Sequence, residues 1–196
     1  MTPKLVLASA SPRRREILDL LALDYDVRVP DASEILTDGT GPEFEAPRLA
    51  TDKAASVRAE PSELVVAADT LVAIGDTILG KPREAQEAVR MLMQLQGCRH
   101  EVFTGLALRL DGRTESGVAI TSVWFRSLDA AECEEYVATG EPLDKAGAYG
   151  IQGLGAAVVE RIEGEYFNVM GLPVRLFLSL LSRFGLRYAF GRLEPV

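Results

Sequence analysis

The sequence holds one histidine and two cysteines in 196 residues, and each shortage removes a class of chemistry. With His100 alone, a Ser-His-Asp triad and the paired-histidine metal motifs have no basis. His100 itself lies in an alternating, strand-like run and reads as a structural residue. Cys98 and Cys133 are too few and too isolated for a disulfide framework or a cysteine-rich zinc site, which points to a reducing cytoplasmic setting. Long hydrophobic runs are also missing. The segment from Leu176 to Leu181 falls far short of the roughly 20 apolar residues that a bilayer requires. The start, with Lys4 and a short apolar run, is too brief for a secretory signal and leads into arginines, Glu16 and Asp19. Basic residues are the minority: 21 Lys and Arg against 29 Asp and Glu give a formal charge of −8. That balance disfavours nucleic acid and anionic membrane as partners, so any anionic ligand has to be held by a local group of cations.

What is present is a generous supply of apolar residues, 47% of the chain, enough for the core of one mixed α/β domain over residues 1–196. Apolar spacing predicts a strand over 5–8, a helix from Pro12 with Ile17, Leu18 and Leu21 on one side, a strand over 25–29 and a loop over 30–42. A helix over 44–58 follows, with Pro47 in its first turn. The unbroken run Leu64 to Ala68 reads as a strand buried on both faces and ending at Asp69-Thr70. Next come a hairpin turning at Gly75-Asp76 and a helix over 83–96 capped by Gly97. Strands over 100–110 and 114–126 turn at Asp111-Gly112, the clearest hairpin signal in the chain. A short acidic helix over 130–138 leads to the glycine-rich loop 141–155. Strands over 156–162 and 166–170 and a closing helix over 173–184 complete the pattern. No fixed-period repeat and no linker interrupts it.

Chemistry concentrates in a few places. Ser9, Ser11, Arg13, Arg14 and Arg15 fall at a strand-to-helix junction, with Ser11 suited to the N-cap and Pro12 to the first helical position. Cations are unwelcome in a first helical turn, so their presence suggests an expected anion, and backbone N–H groups with guanidinium forks suit a phosphate chain. A solvated basic helix start fits these letters equally well. Asp69 closes the central apolar run, where ligands of α/β folds gather. Glu34 sits in an otherwise unexplained loop and is as readily a solvated acid. Lys53 and Lys81 could be surface lysines, although Gly80 and Pro82 hold the backbone around Lys81. Lys145 and Gln152 lie in the glycine-rich loop, where Gln152 is either a stabilising amide or a reader of a base edge. Carboxylates, lysines and arginines of this kind suit metal-assisted phosphoryl chemistry.

Four stretches occur together and in order: Ser9-Ala10-Ser11-Pro12-Arg13-Arg14-Arg15-Glu16-Ile17-Leu18, Ala68-Asp69-Thr70, Gly80-Lys81-Pro82, and Glu141-Pro142-Leu143-Asp144-Lys145-Ala146-Gly147-Ala148-Tyr149-Gly150-Ile151-Gln152-Gly153. Together they resemble the Maf family of nucleotide pyrophosphatases, over nearly the whole chain. The resemblance implies an α/β fold like that of inosine triphosphate pyrophosphatases, with an elongated mixed sheet flanked by helices and two lobes around a central cleft. It implies hydrolysis of nucleoside triphosphates to monophosphate and pyrophosphate with a divalent cation, Mg²⁺ or Mn²⁺. Asp69 then corresponds to the proton acceptor and, with Glu34, to the metal-holding pair. Arg13, Thr70 and Gln152 correspond to the positions that set base specificity. Lys53 and Lys81 correspond to phosphate-handling residues, with Ser9, Ser11, Arg14 and Lys145 as further substrate contacts. The Ile151-Gln152-Gly153 version of the late loop is similar to the branch acting on dTTP and UTP. One departure is the run Asp31-Ala32-Ser33-Glu34, where many relatives carry adjacent Asp and Glu. The resemblance also implies a homodimer. Alternatives to be separated by experiment are a preference for modified nucleotides such as 7-methyl-GTP, and a nucleotide-binding regulator of cell division or septum formation.

Overall fold

Residues 2–196 are described by a computed structural model. The elements run β1 (Lys4–Ala8), α1 (Pro12–Leu20), β2 (Tyr25–Val27), α2 (Pro42–Ser56), β3 (Glu63–Ile74), β4 (Thr77–Leu79), α3 (Ala85–Leu95), β5 (Arg99–Leu110), β6 (Arg113–Phe125) and α4 (Ala130–Ala138). Three short 3-10 turns, Glu141–Asp144, Ala146–Ala148 and Gly153–Ala157, precede β7 (Val159–Glu163), α5 (Tyr166–Met170), α6 (Val174–Arg183), β8 (Leu186–Tyr188) and β9 (Leu193–Pro195). Seven strands form a mixed sheet in the order β2-β1-β3-β5-β6-β7, with β4 paired to β3, while β8 and β9 pair separately. β1 runs parallel to both β2 and β3, whereas β3–β4 and β6–β7 are antiparallel. The expected mixed α/β class is the observed one.

Packing divides the chain into two units. The first gathers the chain up to Asp69, Thr104–Ala119 and Gly171–Val196; the second holds Thr70–Phe103 and Ile120–Met170. In the first, side chains of β3 alternate between two buried faces, as a central strand demands. Val65 and Ala67 join Val6 and Ala8 of β1, Ala107 of β5, and Ala50 and Ala54 of α2 in one apolar cluster. The small residues allow α2 to lie close to the sheet. Gly105 is the extreme case, since a Cβ there would stand 2.0 Å from the Ala46 carbonyl oxygen. In the second unit, Ala88, Met91, Leu92 and Leu95 of α3 pack with Val123 and Phe125 of β6 and with Cys133, Tyr136 and Val137 of α4. α4 opens with a capping box: Asp129 accepts from the Glu132 N–H and the Glu132 carboxylate accepts from the Asp129 N–H.

Several expected boundaries change, each for a physical reason. β3 does not stop at Asp69-Thr70 but continues to Ile74; it is the parallel register with β1 that ends, at the Ala8–Ala67 pair. Asp69 therefore lies inside a strand, just past the end of its neighbour. α2 begins at Pro42, so Pro47 occupies the second turn and costs one helical hydrogen bond. Residues 166–170 are helical rather than extended. There the buried Asn168 amide donates to the Val102 carbonyl (3.0 Å) and to Thr121 Oγ1 (2.9 Å), and this tertiary anchor outweighs the β preference of Tyr166, Phe167 and Val169. The stretch from Gly153 to Ala157 is a 3-10 turn, which delays β7 to Val159.

Candidate active site

Alternation along β3 places Asp69 on the same face as Val65 and Ala67, the face covered by α2. On α2 the buried positions Ala46, Leu49, Ala50, Lys53 and Ala54 follow helical spacing, so Lys53 occupies a place in the apolar stripe. The two side chains meet there. Lys53 Nζ donates to Asp69 Oδ1 and, at 2.6 Å, to Glu34 Oε1. Lys53 and Asp69 are both buried, while Glu34 is half open to solvent. A buried ammonium is tolerable only when charge and hydrogen bonds offset its lost hydration, and two carboxylates do so here.

Arg14 brings a second cation to the group. Ser11 caps α1 by backbone geometry, without a side-chain cap bond, and Pro12 takes the first helical position. The Ser11 N–H donates to Ser9 Oγ (3.1 Å), and Arg14 Nη1 donates to the same oxygen at 2.9 Å. Arg14 Nε donates to the Gly171 carbonyl (2.8 Å). These bonds fold the guanidinium back over the turn between β1 and α1. Burial lowers its pKa, the charge of Asp69 opposes that, neighbouring Arg13 adds to the lowering, and Glu34 again opposes it. Arg14 and Lys53 thus share the local field of Asp69 and Glu34. Arg15 turns elsewhere, to the Ala10 carbonyl (3.1 Å).

The loop carrying Glu34 has almost no apolar anchorage, since Ile35 is 77% exposed. Its hold is polar. The buried Glu45 carboxylate accepts from the Thr37 N–H (3.1 Å) and from Arg48 Nη2 (2.5 Å), and Arg48 Nη2 also donates to the Ile35 carbonyl (2.8 Å). Arg48 holds the Glu45 carboxyl down at about 2, against the effect of burial and with help from Thr37. Neither residue stood out in the sequence, although their i,i+3 spacing was the available signal.

Arg13 lies in the first unit, on the first turn of α1 beside Arg14; the remaining expected site residues lie in the second unit. Thr70 follows Asp69 on β3 and is half-buried. Lys81 is exposed after β4, in a segment fixed by the Gly147 N–H donating to the Gly80 carbonyl (3.0 Å). Lys145 donates to the Glu141 carbonyl and, at 2.7 Å, to Asp144. Gln152 is half-buried and directly precedes Gly153, whose φ is +63°. His100 is structural, as expected: Nε2 and the Tyr149 hydroxyl lie 2.8 Å apart, and the ring meets Phe125 edge-on with centroids 4.9 Å apart.

For a metal, no group of three or more His, Cys, Asp or Glu side chains exists among the described residues. Asp69 and Glu34 nevertheless converge on one ammonium. A pair of hard oxygen donors fits Mg²⁺ or Mn²⁺, which complete their shells with water and phosphate oxygens, and does not fit an ion that needs an all-protein cage.

A family model described as Maf-like protein matches residues 4–184. A dTTP/UTP pyrophosphatase of Anaeromyxobacter dehalogenans is 50% identical over 189 residues, covering 94% of this chain and 96% of that protein. One of Vibrio cholerae is 45% identical over 185 residues, covering 92% and 98%, and one of Bacillus pumilus is 43% identical over 184 residues, covering 93% and 97%.

Proposed function

The chain belongs to the Maf-like protein family, and we propose that it hydrolyses dTTP and UTP to the nucleoside monophosphate and pyrophosphate by attack of water at the α-phosphorus. The observation that carries this reading is the buried Lys53 ammonium shared by Asp69 and Glu34 beside Arg14. Relatives at 43–50% identity over nearly their whole length bear the dTTP/UTP pyrophosphatase description.

In this reading Asp69 takes the proton of the attacking water. Lys53 fixes the carboxylate through Oδ1, which leaves Oδ2 for the water. Displacement at phosphorus spreads negative charge over the phosphoryl oxygens and the departing pyrophosphate, so preorganised cations lower the barrier. Arg13, Arg14, Lys53, Lys81 and Lys145 are the cations assigned to that task, with Ser9 and Ser11 shaping the turn that carries the arginines. Thr70 and Gln152, together with Arg13, are assigned to the base. Asp69 and Glu34 would hold the divalent cation, which when bound offsets phosphate charge and orients the chain of oxygens for in-line attack.

The test is pyrophosphate release from a panel of dTTP, UTP, the other common triphosphates and 7-methyl-GTP, each with Mg²⁺, Mn²⁺ or EDTA. Preferred turnover of dTTP and UTP, abolished by EDTA, is expected. Preference for 7-methyl-GTP would move the chain to the modified-nucleotide branch. Tight nucleotide binding without turnover under any metal would favour a regulatory role.

A further inference from the structure

Residues 150–155 surround Gln152 with three glycines and little apolar anchorage: Gly153 and Leu154 are exposed, and Leu154 presents 59% of its surface. The backbone on which a specificity residue here would sit is held in large part by one carboxylate. Glu141 Oε1 accepts from the Gly155 N–H (2.9 Å) and from the Tyr136 hydroxyl (2.9 Å), while Oε2 accepts from the Leu154 N–H (2.9 Å). The Tyr136 oxygen in turn accepts from the Gly150 N–H at 3.2 Å. Backbone on both sides of Gln152 is therefore tied, directly or through one phenol, to a single side chain.

The surroundings are shaped for this arrangement. A Cβ at Gly155 would stand 2.2 Å from the Gly150 carbonyl oxygen and 2.3 Å from the Tyr136 hydroxyl; one at Gly153 would stand 2.6 Å from Glu141 Oε2. The glycines admit the clamp, and the clamp sets the loop. Tyr136 is held in the apolar cluster of the second unit and forms a rigid post. Burial works against the charged form of Glu141, yet the Leu154 and Gly155 amides and the Tyr136 hydroxyl bring its pKa below the ordinary carboxylate value. The main-chain carbonyl of Glu141, separately from its carboxylate, accepts from Lys145 Nζ.

We infer that Glu141, with Tyr136 as its relay, is a positioning residue that sets the direction of Gln152 and through it the enzyme's choice of base. This rests on the assignment of Gln152 to the base. Three donors meet the two oxygens, so a neutral amide in place of the carboxylate necessarily turns its NH₂ toward an N–H or O–H donor. Glu141→Gln is close in volume, and Tyr136→Phe removes only the relay.

The experiment measures kcat and KM for UTP and CTP in the wild type, Glu141→Gln, Tyr136→Phe and Gln152→Ala, alongside amide hydrogen exchange at residues 150–155. For Glu141→Gln, faster exchange at these residues, a KM for UTP raised more than kcat is lowered, and about a tenfold loss of UTP-over-CTP preference are expected. Tyr136→Phe is expected to shift the same quantities less, and it keeps the question answerable if Glu141→Gln does not fold. Wild-type exchange and preference in Glu141→Gln overturn the clamp. Altered preference in Gln152→Ala with wild-type preference in Glu141→Gln overturns its part in specificity. Unchanged preference in Gln152→Ala with fast exchange in Glu141→Gln leaves the clamp standing and overturns the base-reading role of Gln152 alone.

Discussion

At the scale of single residues, the molecule uses buried ionisable groups in two contrasting ways. Lys53 is buried as a cation because Asp69 and Glu34 face it. His100 is buried, and among the described residues no carboxylate meets it, the Tyr149 hydroxyl alone reaches Nε2, and Nδ1 has no hydrogen-bond partner. Burial accordingly lowers the imidazole pKa to about 4. The unfolded chain takes up that proton near 6.5, so between about 6.5 and 4 it binds more protons than the folded chain. This contribution is present above pH 6.5 and is lost as the pH falls to about 4, by about 3 kcal/mol in all. Glu45, held at about 2 in the fold, contributes stability that is present above the ordinary carboxylate value and is lost in a lower window, as the pH falls from about 4.5 toward about 2. Urea unfolding midpoints between pH 7 and 4.5 are expected to fall with acidity in the wild type and to fall less steeply in His100→Phe. Parallel slopes in the two proteins would contradict the assignment.

At the scale of elements, the position of α2 determines whether Lys53 can reach β3. The approach relies on Gly105, where a Cβ would sit 2.0 Å from the Ala46 carbonyl. Gly105→Ala is expected to push α2 outward and to destabilise by about 1–3 kcal/mol, with roughly 2–4 °C in Tm for each kcal/mol. Activity is expected to fall beyond what the loss of folded protein explains, because Lys53 moves away from Asp69. Calorimetry with activity per folded molecule checks both parts. The contrast between what the letters conveyed and what they hid is clearest here. β3 was legible because Leu64 to Ala68 admits no other use, and β5 and β6 because Asp111 (φ +47°) and Gly112 (φ +81°) meet the demands of a two-residue hairpin turn. α5 was not, because its helix depends on Asn168 finding Val102 and Thr121, about 47 to 66 positions away in sequence.

At the scale of the whole chain, the sheet order brings distant stretches to one place without their being neighbours in sequence. Lys53 precedes Asp69 by 16 residues and Glu34 precedes Lys53 by 19, and only the pairing of β1 with β3 under α2 joins them to Arg14. The residue types were visible beforehand, and the motifs marked them. The buried partnership of Lys53 was not, because a lysine reads as a surface residue until its neighbours on the helix stripe are seen to be buried. Glu141 and Tyr136 were hidden for a related reason: their role is to hold other backbone, which leaves no chemical signature in the letters.

The most direct measurement is pyrophosphate release from dTTP and UTP by Asp69→Asn compared with the wild type, each with Mg²⁺ and each verified as folded. The asparagine Oδ1 can still accept from Lys53, and Glu34 remains as counter-charge, so the fold is expected to survive. Turnover is expected to drop by roughly a hundred- to ten-thousandfold, the share a positioned proton acceptor supplies. Hydrolysis near the wild-type rate by the folded variant would contradict the account.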